Sequence, residues 1–140
     1  MIQQLPPQQC FDLLECDAEI LHLDVRTPEE FSEGHALGAI NVPAFFRGAG
    51  GMQPNPEFVP AVVALSPDTV QRIVLSCRSG GRSNMAAEWL EQQGYQNLIN
   101  MPGGFHGMPD GSAPGWLQCG LPTSDDVSGR DWETQRAKLG

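Results

Sequence analysis

A cysteine followed within six residues by two arginines, two glycines and two serines has the makings of anion chemistry. Cys77-Arg78-Ser79-Gly80-Gly81-Arg82-Ser83 has this order. The segment follows Arg72-Ile73-Val74-Leu75-Ser76, a short β-branched run that reads as a buried strand. It precedes Met85, Ala86, Trp89 and Leu90, whose spacing reads as a helix stopped at Gly94. Gly80 and Gly81 allow positive φ, so the loop can curl. A curled loop turns successive N–H groups inward and forms a nest for an anion. The helix, with Ser83 expected as its cap, adds the positive end of its dipole. Arg78 and Arg82 add two positive charges. A thiol at the head of this loop is expected to react as its thiolate, with no histidine base to activate it. From Thr69 to Ala87 there is no acidic residue and there are three arginines, Arg72, Arg78 and Arg82.

The rest of the chain must position that loop. Pro6-Pro7 opens a helix with an apolar stripe of Cys10, Phe11, Leu13 and Leu14. Ile20 to Val25 reads as a strand. Thr27-Pro28-Glu29-Glu30 carries a cap, a first-turn proline and two acids, and so starts a short helix that ends before Gly34 and Gly38. Ala39 to Val42 is a second strand, closed by Pro43. Residues 47–56, rich in Gly and Pro, read as a surface loop, either inert, the favoured reading, or rimming the site. Glu57 to Leu65 reads as a helix and Asn97 to Asn100 as a strand. Trp116 and Leu117 are expected to pack as core. The spacing predicts one domain over residues 1–122 and a polar C-terminal tail over 123–140, with one short helix carrying Trp132 and Leu139 packed on the domain. Strands alternating with helices predict an α/β domain with a mostly parallel sheet. Sites in such sheets lie at the carboxyl ends of strands, here the exits after Val25 and Ser76.

Composition narrows the functional classes. The chain has 140 residues, 17 acidic against 8 basic, and a net charge near −9. That length suits a single domain. The acidity disfavours nucleic acid as a partner. Lys138 is the only lysine, which excludes a phosphate-binding loop ending in Gly-Lys-Ser/Thr. No apolar stretch reaches the roughly 18–20 residues of a membrane span, and the N-terminus lacks a signal-peptide pattern, so the expected location is cytoplasmic, with no membrane partner. Cys10, Cys16, Cys77 and Cys119 form no Cys-x-x-Cys pair. Cys10, Cys16 and Cys119 are expected to be small buried hydrophobes. His22 and Asp24 share a strand face, but two ligands do not make a metal site. No metal or cofactor is expected.

Three ordered segments resemble the rhodanese family of sulfurtransferases, specifically the single-domain, thiosulfate sulfurtransferase-like members. The loop from Cys77 to Ser83 resembles the family's active-site loop. Leu23-Asp24-Val25-Arg26-Thr27-Pro28-Glu29-Glu30-Phe31, then Gly34-His35 and Gly38 to Pro43, resembles its upstream signature. Gly103-Gly104-Phe105 and Pro114 to Pro122 resemble its C-terminal signature. The resemblance implies a rhodanese-like α/β fold: five strands, mostly parallel, flanked by helices on both faces. It implies that Cys77 is catalytic and carries a persulfide. A sulfane sulfur would move from thiosulfate or a similar small anionic donor to a thiophilic acceptor, cyanide or a thiol. Arg78, Ser79, Gly80, Gly81, Arg82 and Ser83 would bind the substrate. Asp24 and Arg26 would brace the site wall, Asp24 pairing with an arginine or capping the turn after it. His35 would have a structural hydrogen-bonding role.

Two rivals remain at this point. Phosphatases and arsenate reductases of the same fold place five residues between cysteine and arginine, whereas four separate Cys77 from Arg82. The shorter ring suits a sulfur atom, and the loop contains no acid to protonate a leaving alkoxide. The other rival is a persulfide carrier or binding module that serves a protein partner in a sulfur relay.

Overall fold

The computed structural model describes residues 2–139. In chain order its elements are β1 (Ile2–Gln4), α1 (Pro7–Cys16), β2 (Leu21–Asp24), α2 (Pro28–Glu33), β3 (His35–Ala36), β4 (Ile40–Asn41), β5 (Phe45–Gly48), β6 (Gly51–Pro54), α3 (Phe58–Leu65), β7 (Arg72–Ser76), α4 (Gly81–Gln92), β8 (Asn97–Asn100), β9 (Thr123–Ser124) and α5 (Trp132–Ala137). Five strands form one sheet in the order β1-β8-β7-β2-β4. Every neighbouring pair is parallel.

Helices cover both faces of the sheet because strand side chains alternate. Ile73, Leu75, Leu23 and Leu98 face a core built with α3, α4 and α5, including Phe58, Val62, Ala86, Leu90 and Trp132. Val74, Ile99 and Ile20 face a second core with Cys10, Phe31, Phe105 and Trp116. Helix α2 starts on a complete capping box: Thr27 accepts from the Glu30 N–H, and the Glu30 side chain accepts from the Thr27 N–H.

Several expectations are revised. The 47–56 segment is mostly a hairpin, because Phe45 to Gly48 pairs antiparallel with Gly51 to Pro54 across a two-residue turn. Its three glycines and Pro54 belong to the turn and to the exposed strand residues beside it, and Pro56 follows the hairpin. Leu117 stays 42% exposed, while Trp116 alone enters the core, its indole N–H donating to the Pro122 carbonyl at 2.7 Å. The polar segment after Pro122 is tied into the domain. Thr123 and Ser124 pair with β3, and Trp132, only 6% exposed, fills one core. Among the described residues, no helix is long and apolar enough to cross a membrane.

The register determines what meets at the carboxyl edge. Asp24 pairs with Ser76, and Leu75 with Asn100. The three central strands therefore end together, and Cys77 is the next residue after β7.

Candidate active site

Cys77 lies between the end of β7 and the first turn of α4, and is only 2% exposed. Its Sγ accepts from the Gly80 N–H at 3.1 Å and the Ser83 N–H at 3.4 Å, and the Ser83 hydroxyl lies 3.3 Å away. These are the donors a nest and a helix N-terminus supply. The helix begins earlier than expected. Gly80, not Ser83, is the N-cap, with φ +125°. Ser83 is buried in the first turn, where its hydroxyl reaches the sulfur. Gly81 does not take positive φ, so one of the two loop glycines carries the curl.

A second loop braces the first. The carbonyls of Cys77, Arg78 and Ser79 accept from the N–H groups of Phe105, His106 and Gly103 at 2.8, 2.9 and 2.8 Å. With these three carbonyls held outward, loop N–H groups face the sulfur. The close approach requires Gly104. It has φ +55°, and a Cβ there would fall 2.3 Å from the Cys77 carbonyl oxygen.

A polar chain runs away from the sulfur. Ser83 Oγ lies 2.5 Å from Asn100 Oδ1, Asn100 Nδ2 donates to Gln4 Oε1 at 2.8 Å, and Gln4 Nε2 donates to Asn84 Oδ1 at 2.8 Å. Because the Asn100 amide nitrogen serves Gln4, its oxygen faces Ser83 and takes the hydroxyl proton. Nothing in the spacing of Asn100 or Gln4 marks them for this role. Their places come from the pairing of β1 with β8.

The supporting residues separate into distinct jobs. Asp24 takes both roles considered for it. It accepts from the Arg26 backbone N–H at 3.0 Å and pairs with the Arg26 guanidinium at 2.7 Å. Arg26 also donates to the Gly34 carbonyl at 2.7 Å and lies 4.5 Å from the Phe105 ring centroid. This buried pair holds the wall beneath the second loop. His35 is buried, stacks on Phe31 at 3.7 Å and bonds the Phe31 carbonyl through Nδ1. His22 bonds Ser76 Oγ at 2.8 Å, and burial pushes it down to about 4. Among the described residues no cluster of metal-binding side chains exists.

Arg82 departs from its expected place. It forms a two-pronged ion pair with Glu30, at 2.8 and 3.2 Å. Burial disfavours both charges, but the hydrogen bonds from Arg82 and the Thr27 N–H hold Glu30 at about 2. Glu30 lies 52 residues upstream of Arg82, so an acid-free stretch of sequence is not an acid-free site. Arg78 is exposed. It lines a groove of about 360 Å³ with Glu30, Glu33, His106, Leu117 and the edge of Arg26. Burial, then Arg26 and Arg78, lower the His106 pKa. A larger cleft, about 640 Å³, lies at the opposite end of β2 and β7, and no cysteine lines it.

Of the other cysteines, Cys10 is buried and pushed up to about 12 by burial. Cys16 is exposed and Cys119 half-buried, contrary to the expectation that both are buried.

Fold and site define an α/β domain that presents a single thiol in an anion nest at a strand-to-helix turn. The chain belongs to the rhodanese-like family, whose domain model matches residues 7–108. It is 44% identical over 102 residues to thiosulfate sulfurtransferase 16, chloroplastic, of Arabidopsis thaliana, covering 73% of this chain and 78% of that one. It is 28% identical to a sulfurtransferase of Allochromatium vinosum, covering 78% and 94% of the two chains. Other curated relatives are longer, and the chain spans 45% to 58% of four of them. A crystal structure from M. tuberculosis superposes with a TM-score of 0.71 at 25% identity, covering 89% and 98%.

Proposed function

We propose that this protein is a sulfurtransferase that carries a sulfane sulfur on Cys77. The Cys77 thiolate attacks the outer sulfur of thiosulfate or a similar donor. The S–S bond of the donor breaks, its electron pair leaves with sulfite, and Cys77 holds a persulfide. A thiophilic acceptor, cyanide or a thiol, then attacks the outer sulfur and restores the thiolate. The N–H groups of Gly80 and Ser83 stabilise the sulfur anion in each state. Exposed Arg78, on the groove beside the loop, receives the donor. The four free cysteines suit a reducing compartment such as the cytoplasm.

The observation that carries this reading is the pair of backbone N–H donors converging on a nearly buried thiol, with the Ser83 hydroxyl beside it. The ring also suits one sulfur atom, since the thiol itself occupies the nest. The test is thiocyanate production from thiosulfate and cyanide. Wild type is expected to turn over and Cys77→Ser to be inactive. Turnover by Cys77→Ser refutes the proposal.

A further inference from the structure

The ionised side chains beside the Cys77 loop and along the neighbouring groove cancel. Arg26 is matched by Asp24 at 2.7 Å and Arg82 by Glu30 at 2.8 Å. Among the described residues Arg78 has no ion-pair partner, and Glu33 stands on the same groove. These six side chains sum to zero charge. Two of the three arginines near Cys77 are thus committed to carboxylates. Glu30 is itself locked, because the Thr27 N–H and hydroxyl donate to the same Oε1 that Arg82 grips, at 3.0 and 3.1 Å. Arg82 cannot turn to a donor without breaking its pair with a carboxylate that also completes the capping box of α2.

We propose that Glu30 is a specificity-determining residue, and that by holding Arg82 it biases the site toward sulfur donors with at most one negative charge, such as an organic persulfide, and leaves the thiosulfate dianion a slower donor. The proposal rests on the sulfur-transfer reading and deepens it. A dianion meeting the Cys77 thiolate finds loop N–H groups and one unpaired arginine. An organic persulfide R–S–SH adds little charge. Cys77 bonds its outer sulfur, the S–S bond breaks, R–S⁻ leaves with the electron pair, and the proton stays on the transferred sulfur.

Glu30→Gln separates charge from structure. Glutamine still accepts from Thr27, since Glu and Gln both serve a capping box. It removes the charge that neutralises Arg82. The Coulomb energy of a freed cation scales with donor charge. Thiosulfate and a singly charged arylthiosulfonate are the probes. The latter transfers its outer sulfur by S–S cleavage with a sulfinate leaving group. In Glu30→Gln, kcat/KM is expected to rise about tenfold for thiosulfate and about threefold for the arylthiosulfonate. An unchanged or reduced thiosulfate value, or an equal rise for both donors, overturns the proposal. The double variant Glu30→Gln/Arg82→Gln leaves neither partner of the pair uncompensated and keeps the test decisive if the single variant does not fold. It is expected to retain the wild-type ratio of the two donors. A several-fold selective loss of thiosulfate turnover shows instead that Arg82 serves the dianion from within the pair, and refutes the idea. Cys77→Ser runs alongside as a control. Activity that survives it defeats the sulfur-transfer reading, whereas Cys77-dependent activity indifferent to Glu30 defeats only the specificity claim.

Discussion

Gly104→Ala tests whether the second loop holds the first. The new Cβ would lie 2.3 Å from the Cys77 carbonyl oxygen and 2.7 Å from Arg78 carbonyl atoms. Ordinary contact begins at 3.4 Å, so the two loops must separate by about 1.1 Å. That motion breaks the bonds from the Phe105 and His106 N–H groups to the Cys77 and Arg78 carbonyls. Each costs about 1 kcal/mol. Alanine at φ +55° adds about 1–2 kcal/mol of backbone strain. The sum, about 3–4 kcal/mol, leaves a domain of ordinary stability folded at low temperature. Displacing the reacting sulfur by an ångström costs about a hundredfold in rate. The control is Gly38→Ala, with φ +92° and nothing within 4 Å of the added Cβ. It suffers the strain without the clash. Urea unfolding and thiocyanate production are measured on both. Gly104→Ala is expected to be less stable than the control and about a hundredfold slower. Equal activity in the two variants would refute the bracing argument.

Two further outcomes follow from buried polar groups. Asn100→Leu removes the acceptor for Ser83 and the donor to Gln4; it should cost about 1–3 kcal/mol in urea unfolding and slow persulfide formation, and wild-type values for both would contradict the polar chain. His22 falls from 6.5 to about 4 through burial, so the unfolded chain takes up a proton first as pH drops. Its contribution to stability is complete above pH 6.5 and is lost toward about 4, in total about 3 kcal/mol. His22→Gln should flatten that part of the stability profile, and a profile as steep as wild type would show that other groups cause the slope.

Much of the architecture was legible because it rests on short-range signals. The run Arg72 to Ser76 and the Thr27-to-Glu30 cap declare a strand and a helix start by themselves. Cys77 stood out through its position between such elements. What escaped depends on long-range pairing. Strand β1 is three residues, two of them glutamines, and exists because Ile2 to Gln4 align with β8. The Asn100–Gln4 link inherits that invisibility. Glu30 was read as a first-turn acid, which it is, but its partner across 52 residues could not be inferred from spacing. The acid-free stretch around Cys77 therefore overstated the positive charge of the site. Ser83 shows a smaller error of the same kind: its residue type suggested a cap, while its burial against the sulfur gives it a different partner.

The most direct test of the account is the intact mass of the protein after incubation with thiosulfate and removal of excess donor. The account predicts a gain of one sulfur atom, mapped to Cys77, lost on adding cyanide and absent in Cys77→Ser. A wild-type protein that gains no sulfur, or a gain that persists in Cys77→Ser, would contradict it.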